Sequence, residues 1–259
     1  ARDAAQLIAD DQVDVLFELG GSTDMNKLEV MSWRPSPRQA SWLGYPHSAG
    51  LESIDRILVD PFLKPPIPGL LIEKPFELAH SWVTLGRLGF DDREAITPGT
   101  PEKRTGHLTF GTANACYKYN LELLQTWAEI LRRVDGSRFV FLRPEGAVPA
   151  FVANIRQHFE DAGVAGERIE FIAVRGTHMR HYNDIDIALD TFPHVGGTTT
   201  CESLWMAVPT ITVAGEAFYE RMSYSNLNNA GLGDLCATNR DGYIDIAVAL
   251  AGDEQRRTE

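Results

Sequence analysis

The stretch IDIALDTFPHVGGTTTCESLWM, residues 185–206, decides how this chain folds. In residues 185–191, Ile185, Ile187 and Leu189 alternate with smaller or polar positions, the pattern of a strand entering a sheet. Two glycines and three threonines follow, and from about residue 199 the pattern becomes helical. A strand that runs through a glycine-bearing turn into a helix is a unit of a parallel α/β layer. Ligands of such layers gather beyond the carboxyl ends of the strands.

The same alternation extends outward. Strands are expected at residues 108–111, 138–142 and 168–174. Helices are expected at 121–134, where Leu121, Leu124, Ala128 and Leu131 share a face behind an Asn120 cap, and at 148–162. A short helix at 178–182, a strand at 210–214 and a helix near 216–229 complete a Rossmann-like domain over residues 106–259, with helices on both faces of the sheet. The start of the chain reads as a helix at 4–9, a strand at 13–19, the turn GGST and a strand at 40–43. Residues 1–63 are therefore part of a second α/β domain. Between them, Pro65, Pro66, Pro68, Pro75, Pro98 and Pro101 break any period, so residues 64–105 read as a linker or irregular segment, with 78–85 as a further edge strand.

Composition narrows the function. The 259 residues hold 24 Lys and Arg against 36 Asp and Glu, a net charge of −12. Such a field disfavours nucleic acid or an anionic membrane surface as the main partner, so any phosphate is handled locally. The longest apolar runs, at 13–19 and 244–251, fall short of the ~18 residues that span a bilayer. Cys116, Cys201 and Cys236 form no CxxC pair, which fits a reducing, cytoplasmic setting. The absence of an initial Met and the helical pattern at both ends point to a fragment of a longer protein.

The turn GGTTTCE, residues 196–202, carries the strongest chemistry. Gly197 lets the backbone approach a ligand, the hydroxyls and N–H groups of Thr198 and Thr199 donate to phosphate oxygens, and a helix N-terminus favours negative charge. Glu202, one turn on, is placed to accept from a ribose hydroxyl. The plainer alternative is a helix cap with threonines chosen for turn chemistry. Lys118, in the loop after strand 108–111, stands at the carboxyl rim, where an ammonium neutralises a leaving phosphate. His178 and His181, with Arg175 upstream, have helix-borne metal spacing, but no Cys or suitably spaced carboxylate completes such a site, and a histidine packed on a planar base is the better reading. Asp184 and Asp186 form an acidic pair of the kind that binds metal. They are read instead as the polar positions of a strand, so no metal is expected. Cys116 and Cys201 have no base beside them in sequence and are read as structural.

Four segments carry a resemblance: RPSP at 34–37, WLGYP at 42–46, NACYK at 114–118, and LDTFP at 189–193 followed by GGTTTCESLW. In order and spacing they resemble the catalytic region of the O-GlcNAc transferase and SPINDLY family, over about residues 13–251. The resemblance implies a glycosyltransferase-B fold of two Rossmann-like domains, the C-terminal one holding the sugar nucleotide. It implies inverting, metal-independent transfer of GlcNAc from UDP-GlcNAc to Ser or Thr hydroxyls of an acceptor protein, with UDP as product, no cofactor, and upstream tetratricopeptide repeats. By position it assigns Lys118 to the donor diphosphate, Asn114 to the same loop, Ala173, Arg175 and His178 to the base, Thr198 and Thr199 to the phosphates and Glu202 to the ribose. Asp14 is the remaining candidate for a catalytic base. Gly197, Asp14 and His181 depart from the animal enzymes. At Asp14 and in TTTCES the chain is closer to SPINDLY, whose relatives transfer fucose from GDP-fucose. GDP-fucose therefore stands as an alternative donor, and a non-catalytic nucleotide-binding module as an alternative role.

Overall fold

The computed structural model describes residues 1–86, 95–174, 176 and 178–258. It divides into two units, residues 1–84 with 216–225, and residues 85–215 with 226–259.

The first unit opens with α1 (Arg2–Asp10) and then builds a parallel sheet from β1 (Val15–Glu18), β2 (Arg38–Ser41), β3 (Arg56–Val59) and β4 (Lys74–Glu77), paired in that order. Between β1 and β2, α2 (Leu28–Ser32) packs Met31 against Ala49, Ile54 and Leu16. The RPSP stretch closes this layer: Arg34 donates to Asp55 at 2.6 Å and to the Ser53 carbonyl at 3.1 Å. That guanidinium, with the Gln39 N–H, holds the Asp55 carboxyl below its usual range. WLGYP interlocks with the turn after β1. A Cβ on Gly44 would lie 1.8 Å from the Leu19 carbonyl oxygen, and one on Gly21, which has a φ of +48°, would enter the Tyr45 ring.

Residues 216–225 return to this unit. The fully buried Asp60 carboxylate accepts from the Phe62, Leu63 and Trp82 N–H groups and from Ser225 Oγ at 2.5 Å. Phe218 packs edge-on against Trp82, and Arg221 donates to the Phe62 carbonyl. The expected linker at 64–105 is thus divided. Its first part supplies β4, at 74–77 and not at 78–85, and Trp82 to the first unit. Proline is tolerated in β4 because the strand lies at the sheet edge.

In the second unit α3 (Pro101–Thr105) precedes β5 (Thr109–Thr112), α4 (Leu121–Arg133), β6 (Arg138–Leu142), α5 (Pro149–Asp161), β7 (Ile169–Ile172), β8 (Ile187–Leu189), α6 (Thr198–Trp205), β9 (Thr210–Val213), α7 (Met222–Asn229, whose first residues belong to the first unit), β10 (Cys236–Ala237), α8 (Arg240–Gly252) and α9 (Glu254–Thr258). The sheet runs β10-β9-β8-β5-β6-β7, all parallel. This is the doubly wound order of nucleotide-binding sheets, with its switch point between β5 and β8. One face is covered by α4, α5 and α8, whose Trp127, Phe159 and Tyr243 meet Phe139, Phe141 and Ile211; on the other, Tyr182 and Met206 meet Ala113, Leu142 and Ala188. The helix expected at 178–182 is a 3-10 turn, Met179–Asp184, and β10 was not anticipated. Among the described residues no helix is long and apolar enough to cross a membrane.

Replacing Asp60 with Ala removes the acceptor of the Phe62, Leu63 and Trp82 N–H groups and of the Ser225 bond. The expected loss is about 3 kcal/mol or more, read as a lower urea midpoint and as exposure of Trp82 fluorescence.

Candidate functional site

The switch point brings together the loop after β5 and the loop from β8 to α6. At its centre lies Asp190, 1% exposed. Its Oδ1 accepts from Asn114 Nδ2 at 3.0 Å, the Thr191 N–H at 2.9 Å and the Gly196 N–H at 2.7 Å, and its Oδ2 accepts from Thr212 Oγ1 at 2.7 Å. The Asp190 carbonyl is held by Tyr243 OH, which in turn accepts from Trp127 Nε1.

Lys118 leans into this arrangement. Its Nζ donates to Asn114 Oδ1 at 3.1 Å and to the Val195 carbonyl at 2.7 Å, two residues ahead of the α6 N-cap. Burial lowers the Lys118 pKa, Asp190 opposes that shift, and Arg143 adds to it. The loop is fixed at its base by Tyr119 OH on the Asn114 carbonyl, and by Asn120, which caps α4 at Leu123 and reaches the Phe192 carbonyl. Next to Lys118, burial and the ammonium push His194 down to about 4, so it is neutral at ordinary pH.

Gly197 is the N-cap of α6 and has no side chain to satisfy the first-turn N–H groups. Thr198 is exposed and Thr199 half-buried, both in the first turn of α6, where a helix favours negative charge. Asn226 Nδ2 donates to the Gly197 carbonyl at 3.1 Å and steadies the turn.

One turn into α6, Glu202 accepts from His178 Nε2 at 3.0 Å and from Tyr182 OH at 3.1 Å. The Glu202 hydrogen bond raises the His178 pKa, although burial works against it. A cavity of about 210 Å³ opens beside this pair, bounded by Arg143, Pro144, Val174, His178, Thr199 and Glu202. Its walls mix apolar surface with one cation and one carboxylate, which suits a planar base and its sugar.

Six of the expected residues, Asn114, Lys118, His178, Thr198, Thr199 and Glu202, lie on the loops and helix that border this crevice. Ala173 is exposed just past β7, next to cavity residue Val174. Arg175 lies outside the described residues. Asp14 is exposed, one residue ahead of β1. Asp186 is buried and accepts from the Thr109 and Glu102 N–H groups, a structural role, while Asp184 is exposed beside His181. Burial pushes Cys201 up to about 11, so it stays a thiol. Sequence reading missed Asp190 and Arg143. Their common signal is a charged residue immediately after an apolar strand.

The strand order and the lysine-bearing crevice at the switch point are those of the glycosyltransferase-B class of α/β protein. The profile of glycosyl transferase family 41 matches residues 1–68 and 100–259. The chain belongs to that family. It is 36% identical over 257 residues to a protein of Arabidopsis thaliana named probable UDP-N-acetylglucosamine--peptide N-acetylglucosaminyltransferase SPINDLY, a match over 96% of this chain and 27% of that protein. The Arabidopsis SEC protein, given the same enzyme name, is 29% identical over 95% of this chain and 26% of its own length. Among solved structures, an O-GlcNAc transferase mutant from Thermobaculum terrenum superposes with a TM-score of 0.91 at 30% identity, over 99% of this chain and 49% of that one. A glycosyltransferase from Rickettsia africae shares the fold at a TM-score of 0.52 and 14% identity, over 96% of this chain and 74% of that one. The chain spans about a quarter of the length of the curated relatives it matches.

The His178–Glu202 pair has a definite pH signature. A raised folded pKa means that the pair stabilises the fold fully below the ordinary histidine range, and that this contribution is lost as pH rises through the raised value. Glu202→Gln is expected to lower the His178 titration midpoint, followed by NMR of the imidazole protons.

Proposed function

We propose that this chain is the donor-binding part of a protein O-glycosyltransferase that moves GlcNAc from UDP-GlcNAc to Ser or Thr hydroxyls, with inversion and without a metal. The observation that carries the reading is the Lys118 ammonium, half-buried at the switch point and bonded to the carbonyl two residues ahead of the α6 N-cap. Glycosyl transfer separates a sugar with oxocarbenium character from a diphosphate that gains charge. Lys118 and the N–H and hydroxyl donors of Thr198 and Thr199 are the groups of this chain suited to that charge. In this reading the base occupies the cavity beside His178, and Glu202 accepts from the ribose. The names of the SPINDLY and SEC relatives support the GlcNAc donor. The acceptor is a protein or peptide presented by upstream tetratricopeptide repeats. The enzyme is placed in the cytoplasm, without nucleic acid or membrane as partner.

Calorimetric titration of UDP and of GDP tests the reading. Preference for UDP, with affinity reduced about tenfold or more in Lys118→Ala, is the expected result. A preference for GDP moves the donor to GDP-fucose. Binding of neither removes the donor-site assignment, and UDP binding unchanged in the variant removes Lys118 from it.

A further inference from the structure

We propose that Asp190 is a positioning residue for Lys118, acting through Asn114. This rests on the reading of Lys118 as the diphosphate contact. The amide of Asn114 has one donor end and one acceptor end. With Nδ2 committed to Asp190 Oδ1 at 3.0 Å, Oδ1 must face the other way, where it accepts from Lys118 Nζ at 3.1 Å. The same carboxylate oxygen binds the Gly196 N–H at 2.7 Å and so sets the loop whose Val195 carbonyl is the second acceptor for Lys118. One buried group thus defines both anchors of the ammonium.

The charges bear on Lys118 in the same direction. Among the described residues, the charged or titratable groups that act on it are Asp190 from the end of β8, Arg143 from the end of β6, and His194 from the β8–α6 loop. Arg143 is cationic and His194 is neutral at ordinary pH, so Asp190 supplies the attraction that keeps a half-buried ammonium protonated. A lysine without its proton offers a diphosphate no charge. Asp190 itself is shut off from solvent, so its effect passes through the amide and the field.

Two readouts test this on the whole chain, in wild type and in Asp190→Asn. The first needs no nucleotide: competitive acetylation of Lys118 across pH, read by mass spectrometry. The labelling midpoint is expected to fall in the variant, and an unchanged midpoint overturns the proposal. The second compares UDP with uridine by calorimetry. The variant is expected to lose about tenfold in UDP affinity and to keep uridine affinity. Equal losses for both ligands, with an unmoved midpoint, mark Asp190 as a general structural support and overturn the proposal. Wild-type protein that binds neither ligand counts against the donor-site reading alone, and the labelling midpoint still decides the link. Where Asp190→Asn fails to fold, Asn114→Ala breaks the link at its middle. It is expected to weaken UDP and spare uridine, and undiminished UDP affinity overturns the proposal.

Discussion

A carboxylate buried at the meeting of three strands governs the second unit. Taking Asp190 out of water carries a desolvation cost of several kcal/mol, and donors from three separate parts of the chain offset it: the Asn114 amide after β5, the two N–H groups of the β8–α6 loop, and the Thr212 hydroxyl on β9. All of them share the one carboxylate. The loops that border the crevice are therefore held in place before any ligand arrives, and the ligand meets a site whose polar groups are already ordered.

The crevice is built from opposed electrostatic demands. α6 presents its N-terminus behind a glycine N-cap, Lys118 and Arg143 add positive charge, and Asp190 and Glu202 balance it from beneath and beside. The net result is a local cationic end and an acidic side within a protein of charge −12. Local placement of a few groups substitutes for a positive field over the whole surface. This matches a ligand whose charge is concentrated at one end and whose other end is a neutral base and sugar.

Much of the second unit was legible because its strands are buried on both faces and its helices repeat at apolar spacing, as in α4 with Leu124, Ala128 and Leu131. The strands β3 and β4 escaped notice since RILV is too short to show a period and KPFE contains a proline. β10 is only two residues long. Glycine and threonine chemistry marked the α6 turn, and the loop position marked Lys118. Asp190 was not legible as a hub because its partners come from Asn114 and Thr212, far away in sequence. Asp14 stands one residue ahead of β1, a placement that family position alone does not state.

The return of residues 216–225 to the first unit orders events during synthesis. Trp82 and Asp60 leave the ribosome early, yet Phe218 and Ser225, which complete their packing, emerge only after β5 through β9 have been made. Until then the nascent first unit holds an aromatic surface and an acid that lacks the Ser225 hydroxyl. The second unit is mostly translated before the first can close, so translation gives the chain a stage at which the earlier half depends on the later one.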